Sequence, residues 1–425
     1  MNALPTDLYE LTVSAVFFET GKFLERASFE LSIRRLPRNR AFVLAAGLPQ
    51  AVDYLLNLKF EAAEIDYLRA LPHFANTSAA FFDYLRDFKF TGDLFAVPEG
   101  TPLFAGEPLL TVRAPLIEAQ IPETYLLSAI TFPTLIATKA ARMAEASAGR
   151  DVAEFGTRRA HTPDAGVLGA RAAYIGGCSG TSNALAGYRY GIPVVGTAAH
   201  SWVMAFASET EAFRNLQKLL GTNTVHLIDT NDTVEGARKA IALGKPLWGV
   251  RLDSGDLLAL SFQVRAMLDE AGLRDAKIMA SGDLDEYKIR DLLDAGAPLD
   301  SFGVGTELAT SGDAPSMGTV YKMVEIERDG TRRYTAKRSE GKHTIPGEKQ
   351  IFRFADHDVL GCAGESMDGG EKLLRPVILG GKLVEPLPDA HGARERAARS
   401  LAKLRRPESF RVEHSASLEA LIQSL

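Results

Sequence analysis

The spacing of apolar and polar positions changes at about residue 124. Before that point, residues 46–58 and 61–71 carry apolar side chains three to four positions apart, which predicts two amphipathic helices. Between residues 90 and 123, short apolar runs are separated by Pro-Glu-Gly and Gly-Glu-Pro, which are typical of turns. The first part of the chain is therefore predicted to combine helices with a compact β unit.

From residue 124 onward, short apolar runs alternate with helix-like segments, a pattern that indicates parallel strands joined by crossover helices. One such helix is predicted over residues 232–243, with Asn231 or Asp232 as its N-cap and Gly244 at its end. Another is predicted over residues 284–295, with Asp283 as its cap. Roughly seven parallel strands are expected, which favours a closed barrel with its active site at the carboxyl ends of the strands. The predicted strands are residues 151–155, 172–175, 193–195, 225–228, 247–252, 277–280 and 301–304.

After about residue 320 this alternation stops. Residues 320–326, 332–336 and 351–354 resemble antiparallel strands that return to the outer part of the chain, and residues 389–425 are expected to be helical. We therefore divide the chain into residues 1–123, a barrel over 124–319 and a returning segment over 320–425. Cationic residues in this segment could approach phosphates on a loop, but a solvated hairpin is the favoured interpretation. They are Lys337, Lys342, Lys349 and Arg353.

Composition narrows the class of protein. The chain has 425 residues, of which 46% are hydrophobic and 24% charged, with a net charge of −6, as expected for a folded soluble enzyme. Because it lacks the basic stripe that a nucleic-acid backbone requires, we expect no nucleic-acid partner. It shows neither a signal peptide nor an apolar stretch of about 18 residues, so no membrane association and a cytoplasmic location are expected.

Several of the predicted strands end in small, polar loops that contain glycine. Backbone N–H groups, hydroxyls and helix N-termini in such loops are the groups that hold phosphate. The candidates for phosphate or phosphoribosyl binding are Arg251, Asp253, Ser254, Gly255, Ser281, Gly282, Asp283, Gly303, Gly305 and Thr306. Asp253, Asp256 and Asp283 are also candidates to hold Mg²⁺ through water, although aspartates in these positions commonly cap helices.

A fourth loop, residues 196–201, adds the imidazole of His200. A lone histidine is more often structural than catalytic, but its position after a predicted strand favours a function. Arg158 follows the strand at 151–155, where a guanidinium can hold a carboxylate with two parallel hydrogen bonds. Arg251 and Asp253 are two residues apart and so face the same way, which indicates either an ion pair or an anion clamp.

Motifs along nearly the whole chain resemble, in order, those of the nicotinate phosphoribosyltransferase family. They are TDLYEL at 6–11, EFGTRRA at 154–160, GTSN at 180–183, GTAAHS at 196–201, RLDSGD at 251–256, GVGT at 303–306 and GTVYK at 318–322. The resemblance implies an α/β fold in which an irregular parallel barrel of the type II phosphoribosyltransferase kind accompanies an α/β sandwich. That sandwich would be built from the N-terminal and C-terminal segments.

The resemblance also implies a reaction. Nicotinate and 5-phosphoribosyl 1-diphosphate would give nicotinate mononucleotide and diphosphate, coupled to ATP hydrolysis with Mg²⁺, in NAD salvage by a homodimer with shared active sites. By the family's motifs, His200 would be phosphorylated by ATP, and Tyr9 and Thr197 would lie at the nicotinate site. Arg251 and Thr306 would meet nicotinate and the phosphoribosyl group, while Arg158 is our own addition as a holder of the carboxylate.

Three alternatives remain open at this point. Nicotinamide phosphoribosyltransferase shares the histidine loop but carries an acid where this chain has Ser182, and an acid there would repel a carboxylate. A phosphosugar isomerase or aldolase would share the phosphate loops, but no lysine stands at a predicted strand end for Schiff-base chemistry. A non-catalytic sensor of a phosphoribosyl ligand would not need His200.

Overall fold

A computed structural model describes residues 3–337, 344–404 and 407–425. The chain forms two compact units, the first comprising residues 1–135 and 316–425 and the second residues 136–315. The boundaries expected from the sequence, after residues 123 and 319, differ from these by 12 and 4 positions. The division at residue 135 falls inside a helix that begins at Glu123.

Helices occur in both units. They are α1 (Leu8–Glu19), α2 (Leu48–Asn57), α3 (Ala62–Ala70), α4 (Ala79–Arg86), α5 (Leu116–Gln120), α6 (Glu123–Ala146), α7 (Pro163–Gly176), α8 (Ala184–Tyr190), α9 (His200–Met204), α10 (Glu209–Leu220), α11 (Thr233–Leu243), α12 (Leu257–Glu270), α13 (Glu286–Asp294), α14 (Thr306–Ala309), α15 (Ala390–Lys403) and α16 (Ala416–Gln423). None of the helices in the described ranges is long and apolar enough to cross a membrane.

Strands also occur in both units. They are β1 (Arg26–Arg35), β2 (Val43–Leu44), β3 (Asp93–Ala96), β4 (Pro102–Leu103), β5 (Pro108–Pro115), β6 (Asp151–Glu154), β7 (Gly180–Thr181), β8 (Val225–Leu227), β9 (Gly249–Leu252), β10 (Lys277–Ala280), β11 (Ser301–Val304), β12 (Gly318–Arg328), β13 (Thr331–Tyr334), β14 (Lys349–Arg353), β15 (His357–Cys362), β16 (Glu371–Lys372), β17 (Arg375–Leu379), β18 (Lys382–Leu383) and β19 (Arg411–His414).

The first unit is built on an antiparallel sheet with the strand order β13-β12-β1-β5-β3-β17-β18. Its central strand β1 pairs with β5 on one side and with β12, from the returning segment, on the other. A smaller sheet has the order β16-β14-β15-β19. Alternate residues of the central strands, including Phe29 and Leu31, are buried in one apolar core with side chains of α2 and α4. Strands β12, β13, β17 and β18 of the later part of the chain thus belong to the same sheet as β1, β3 and β5.

The second unit is a parallel sheet with the order β7-β6-β11-β10-β9-β8, flanked by helices. The predicted α/β class with a parallel sheet is confirmed. The strand predicted at 172–175 is wrong, because those residues lie in α7, and residues 193–195 contribute only a bridge from Val194 to Thr181. The apolar run at 172–175 belongs to a buried helix, which spacing alone does not distinguish from a buried strand.

The N-caps of α11 and α13 can be compared with the predicted ones. The predicted cap of α11 is confirmed, since the Asp232 carboxylate accepts a hydrogen bond from the Glu235 amide at 2.8 Å. The predicted start of α13 is wrong: Asp285 is its cap, accepting from the amides of Tyr287 and Lys288, and Asp283 instead adopts a left-handed conformation with φ of 47°. A loop therefore separates residues 281–283 from the helix.

The final segment is only partly helical, because β19 separates α15 from α16. Lys349 is buried against Glu30, with a distance of 2.7 Å between Nζ and Oε2, so the two residues form a structural ion pair. Arg353 pairs likewise with the buried Asp358. Lys342, which the sequence analysis had considered with them, lies outside the described residues, as do Arg405 and Arg406 of the final segment.

Candidate active site

His200 begins the short helix α9 in the second unit, directly after the loop that follows residue 195. Its Nδ1 lies 3.1 Å from Thr230 Oγ1, within hydrogen-bond distance. Its Nε2 lies 3.6 Å from Asp253 Oδ2, and 40% of the side chain is exposed. The imidazole is therefore held at one nitrogen, next to a carboxylate, and open to a ligand.

Arg251, on β9, links loops that follow different strands. Its Nε donates to Ser281 Oγ at 2.7 Å, and one terminal nitrogen donates to Thr197 Oγ1 at 2.8 Å. The other terminal nitrogen donates to Asp253 Oδ1 at 2.5 Å. Its guanidinium carbon is 5.5 Å from the centre of the Phe155 ring, a cation–π distance. The rigid fork of one arginine thus connects residues that the sequence predicted separately.

Asp253 stands between the arginine and the histidine. Burial alone would raise the pKa of its carboxyl, but hydrogen bonds from Ser281 and Arg251, together with the arginine's charge, lower that pKa below the ordinary value. The hydrogen bond from Ser281 Oγ to Asp253 Oδ1 is 2.5 Å long. Asp253 is therefore an anion throughout the physiological pH range.

Asp229 is a site residue that the sequence analysis missed. Its Oδ2 accepts hydrogen bonds from Ser254 Oγ at 2.5 Å and from the Asp253 amide at 3.1 Å. Its Oδ1 is buried and has no hydrogen-bond partner among the described residues. The signal was present in the sequence, because Asp229 and Thr230 directly follow the predicted strand at 225–228, where a barrel places its chemistry.

Glycines allow these strand ends to approach closely. Gly282 has φ of 91°, and a Cβ there would lie 2.0 Å from the carbonyl oxygen of Asp253. A Cβ on Gly303 would lie 2.7 Å from the ring of Phe155 and 3.3 Å from Ser281 Cβ. The loops predicted to hold phosphate therefore pack against one another, and Gly305 and Thr306 continue the same edge into α14.

Other predicted site residues take no part in these hydrogen bonds among the described residues. Arg158 is exposed on the 3-10 turn Thr157–Arg159. Asp256 is exposed and caps α12, accepting from the Ala259 amide at 3.0 Å. Asp283 is exposed, and its carbonyl oxygen accepts from Lys288 Nζ at 2.6 Å. Gly255, next to Asp256, has φ of 83°, a conformation that favours glycine.

Tyr9 belongs to the first unit, where it lies on α1 with 49% of its surface exposed. Partial burial and a hydrogen bond with Glu10 raise the pKa of its phenol, so the ring keeps its proton. Burial also raises the pKa of the Glu10 carboxyl, to about 7. The ring of Tyr9 thus presents an uncharged aromatic face.

Ser182 is exposed in the loop after β7. Its amide donates to the backbone oxygen of Glu154 at 2.9 Å. The buried Glu154 carboxylate accepts from Thr181 Oγ1 at 2.5 Å and also from the amide of Gly156. One carboxylate therefore fixes both the Ser182 loop and the loop that leads to Arg158.

No group of three or more His, Cys, Asp or Glu side chains suited to holding a metal ion occurs in residues 3–337, 344–404 and 407–425. The strand-end carboxylates Asp229 and Asp253 are hard oxygen donors, and Asp229 Oδ1 accepts no hydrogen bond from any residue that the structure describes. Such a set fits Mg²⁺ that takes most of its ligands from water and phosphate oxygens, as this ion commonly does.

Comparison with known proteins agrees with this geometry. The sequence model of the nicotinate phosphoribosyltransferase N-terminal domain matches residues 4–131, and that of the nicotinate phosphoribosyltransferase family matches residues 151–344. The parallel sheet and its strand-end loops lie within the second match. Chain and fold thus point to one class of phosphoribosyl-transferring enzymes.

Individual relatives make the assignment narrower. A nicotinate phosphoribosyltransferase of Mycobacterium tuberculosis is 42% identical over 416 residues, which cover 95% of this chain and 88% of the relative. One from Bacillus subtilis is 45% identical over 360 residues, 83% of this chain and 73% of the relative. The crystal structure of human nicotinic acid phosphoribosyltransferase superposes with a TM-score of 0.85 at 29% identity, covering 99% of each chain. The chain belongs to the nicotinate phosphoribosyltransferase family.

Proposed function

We propose that this protein transfers the phosphoribosyl group of 5-phosphoribosyl 1-diphosphate to nicotinate, giving nicotinate mononucleotide and diphosphate, and couples this transfer to ATP hydrolysis through His200. The observation that carries the proposal is the contact of His200 with Asp253, which is itself bound to Arg251. This arrangement joins a nucleophile to an anion-binding cluster at the strand ends of a parallel sheet.

His200 is suited to accept a phosphoryl group. When Nδ1 carries the proton and donates to Thr230, the lone pair of Nε2 is free. In the proposed step Nε2 forms a bond to the γ-phosphorus of ATP, the bond from that phosphorus to the bridging oxygen breaks, and ADP leaves. The ring then carries positive charge, which the Asp253 carboxylate stabilises. Water later attacks the phosphorus and releases inorganic phosphate.

The phosphohistidine changes the local charge beside the substrate loops. A phosphoryl group adds negative charge and strong acceptor oxygens. Arg251 lies within the same hydrogen-bonded network through Asp253, so its hydrogen bonds are the first that the new charge would redistribute. We propose that this redistribution reorders the loops at Thr197 and Ser281 and tightens substrate binding.

Substrate binding follows from the same groups. Arg251, Asp253, Ser254 and Ser281 offer the charge and hydroxyls to hold the phosphoribosyl moiety, and the transition state of transfer is a cationic ribosyl group that nearby oxygens stabilise. Mg²⁺ entering with the diphosphate would neutralise the charge of this leaving group. Asp229 and Asp253 are the carboxylates that would hold the ion, directly or through water.

The acceptor is assigned to nicotinate because Ser182, and not an acid, stands in the loop after β7. A serine hydroxyl does not repel the carboxylate of nicotinate, whereas the negative charge of an acid would repel it. An acid would instead accept a hydrogen bond from the amide of nicotinamide. The ring-stacking face of Tyr9 would meet nicotinate in a homodimer with shared active sites, as the family resemblance implies.

Two measurements test the proposal. Incubation with ATP labelled at the γ-phosphate and Mg²⁺ is expected to give an acid-labile phosphate on His200, and His200→Ala is expected to abolish ATP hydrolysis while a slow, ATP-independent transfer remains. An ATPase that is unchanged in His200→Ala would remove the histidine from the mechanism. Product analysis with nicotinate, nicotinamide and quinolinate offered side by side tests the acceptor, and turnover of nicotinamide in preference would refute the assignment.

A further inference from the structure

A cavity of about 610 Å³ lies within the first unit, remote in sequence from the histidine loop. Its volume is within the range of small-molecule sites. The wall is formed by β14, the segment from 369 to 375, the second half of α15 and residues 98–102. Five cationic side chains line it, and we call it the basic cavity: Arg353, Arg375, Arg396, Arg399 and Lys403. Of the described residues in its lining, Glu371 alone carries a carboxylate.

Three of these cations come from one face of α15. Arg396, Arg399 and Lys403 are separated by three and four positions, a spacing that aligns side chains along a helix. The opposite wall brings Arg353 and Arg375 from β14 and β17. This helix therefore turns one of its faces toward a cavity that further cations line.

Some of the charge is already balanced, including that of the exposed Arg399, which lies 3.5 Å from Glu395. The Arg353 guanidinium makes two hydrogen bonds to Asp358, at 2.9 and 2.5 Å. Arg375 contacts Glu371 at 2.9 Å, and both side chains are more than half exposed. An exposed pair of this kind contributes little and is readily rearranged.

The charges of Arg396 and Lys403 are balanced less well. Arg396 donates only to the backbone oxygen of Glu99, at 3.4 Å, and neither it nor Lys403 has an ion pair among the described residues. Burial and the positive charges of Arg375 and Arg399 lower the pKa of Arg396, although the Glu371 and Glu99 carboxylates act in the opposite direction. Like charges held together in a half-buried cavity repel one another, and an anion of several charges relieves this repulsion.

We propose that the basic cavity binds a phosphate chain carrying several negative charges, either free or as part of a nucleotide, at a site separate from the strand-end site of the second unit. Arginine side chains suit this ligand because their planar forks bind phosphate oxygens in pairs. Phe354 and Phe410 also line the cavity, and aromatic rings there provide a stacking surface for a base. This inference does not depend on the reaction proposed above.

Chemical footprinting on the full-length protein tests the site directly. Phenylglyoxal modifies arginine, and peptide mass spectrometry gives the rate at each position. Tripolyphosphate and ATP are each expected to slow modification of Arg396 at least threefold, and Arg274, exposed in the second unit, serves as the unprotected reference. Stronger protection by ATP than by tripolyphosphate would assign the site to a nucleotide, and equal protection would assign it to the phosphate chain. Arg396 modified at the same rate with and without both ligands would overturn the proposal.

A substitution separates this site from the strand-end site. Calorimetric titration of tripolyphosphate is expected to show a class of binding that Arg396→Gln weakens at least tenfold. The matched control Lys382→Gln removes one positive charge from exposed β18, outside the cavity, and should leave that class unchanged. Circular dichroism verifies that both variants fold. Identical titrations of a folded Arg396→Gln variant and the unmodified protein would refute the assignment.

Discussion

His226 provides a sharp test of how burial and charge act in the second unit. It lies in β8 with no exposed surface, three residues before the site residue Asp229. Neither ring nitrogen has a hydrogen-bond partner among the described residues, and its ring centre is 4.7 Å from that of Phe213. Burial lowers the pKa of His226 to about 4. The fold therefore holds a neutral imidazole that packs against the Phe213 ring.

This pKa has a defined consequence for stability. Below its ordinary pKa of about 6.5, the imidazole of the unfolded chain takes up a proton that the folded chain does not bind. Stability is therefore lost as the pH falls from 6.5 towards 4, and the difference between these pKa values corresponds to about 3 kcal/mol. His226→Leu removes this dependence. At pH 7 it should also raise the free energy of unfolding by about 1 kcal/mol or more, because no unpaired polar nitrogen is then buried.

The measurement is urea unfolding followed by tryptophan fluorescence between pH 4 and pH 7.5. The chain has two tryptophans, Trp202 and Trp248, and both lie in the second unit, so fluorescence reports this unit. The control His161→Leu changes an exposed histidine of the same unit and should leave the pH profile unchanged. Parallel stability profiles for His226→Leu and the unmodified protein would show that the buried imidazole is not the titrating group, and would refute the reasoning.

Three further predictions concern the site and the first unit. Arg251→Lys keeps the charge but retains only one of three side-chain contacts, so kcat/KM should fall roughly a hundredfold, about 3 kcal/mol, while Arg274→Lys leaves steady-state kinetics unchanged. Ser182→Asp should weaken nicotinate binding roughly fivefold, about 1 kcal/mol, by charge repulsion across a solvated loop, and equal affinities in equilibrium dialysis would reject that account. Burial raises the pKa of the Glu10 carboxyl from 4.5 to about 7. The free energy of unfolding therefore falls as the pH rises from 4.5 through 7, because the unfolded chain releases this proton more readily than the folded chain. Glu10→Gln should remove up to about 3 kcal/mol of that loss. Urea unfolding followed by circular dichroism measures the free energy of unfolding at pH 5 and pH 8, and the same difference between the two pH values in the variant and the unmodified protein would contradict this prediction.

Local sequence determined much of the parallel sheet. Strands such as 277–280 and 301–304 are short apolar runs between turn residues, and their bounds follow from composition alone. The cap of α11 was equally local, because Asp232 bonds to an amide three residues away. Local signals failed where two solutions satisfy the same pattern. The run at 172–175 is apolar enough for a strand, but it forms part of the buried helix α7. Asp285 caps α13 in place of Asp283, because Asp283 adopts a left-handed conformation and the helix begins after it.

The candidate site divides in the same way. Loop composition was sufficient to nominate His200, Arg251 and Ser281, because glycine and hydroxyl residues after a strand carry a local signature. The spacing of Arg251 and Asp253 indicated their pairing, but only the tertiary structure decided that Arg251 also joins Ser281 and Thr197, which are 30 and 54 positions away. The position of Asp229 after the predicted strand at 225–228 was a local signal, but only the tertiary structure decided that it bonds to Asp253 and Ser254 at the end of β9. Periodicity records which face a residue shares with its neighbours along the chain, whereas a binding site is formed by strand ends that meet only when the sheet assembles.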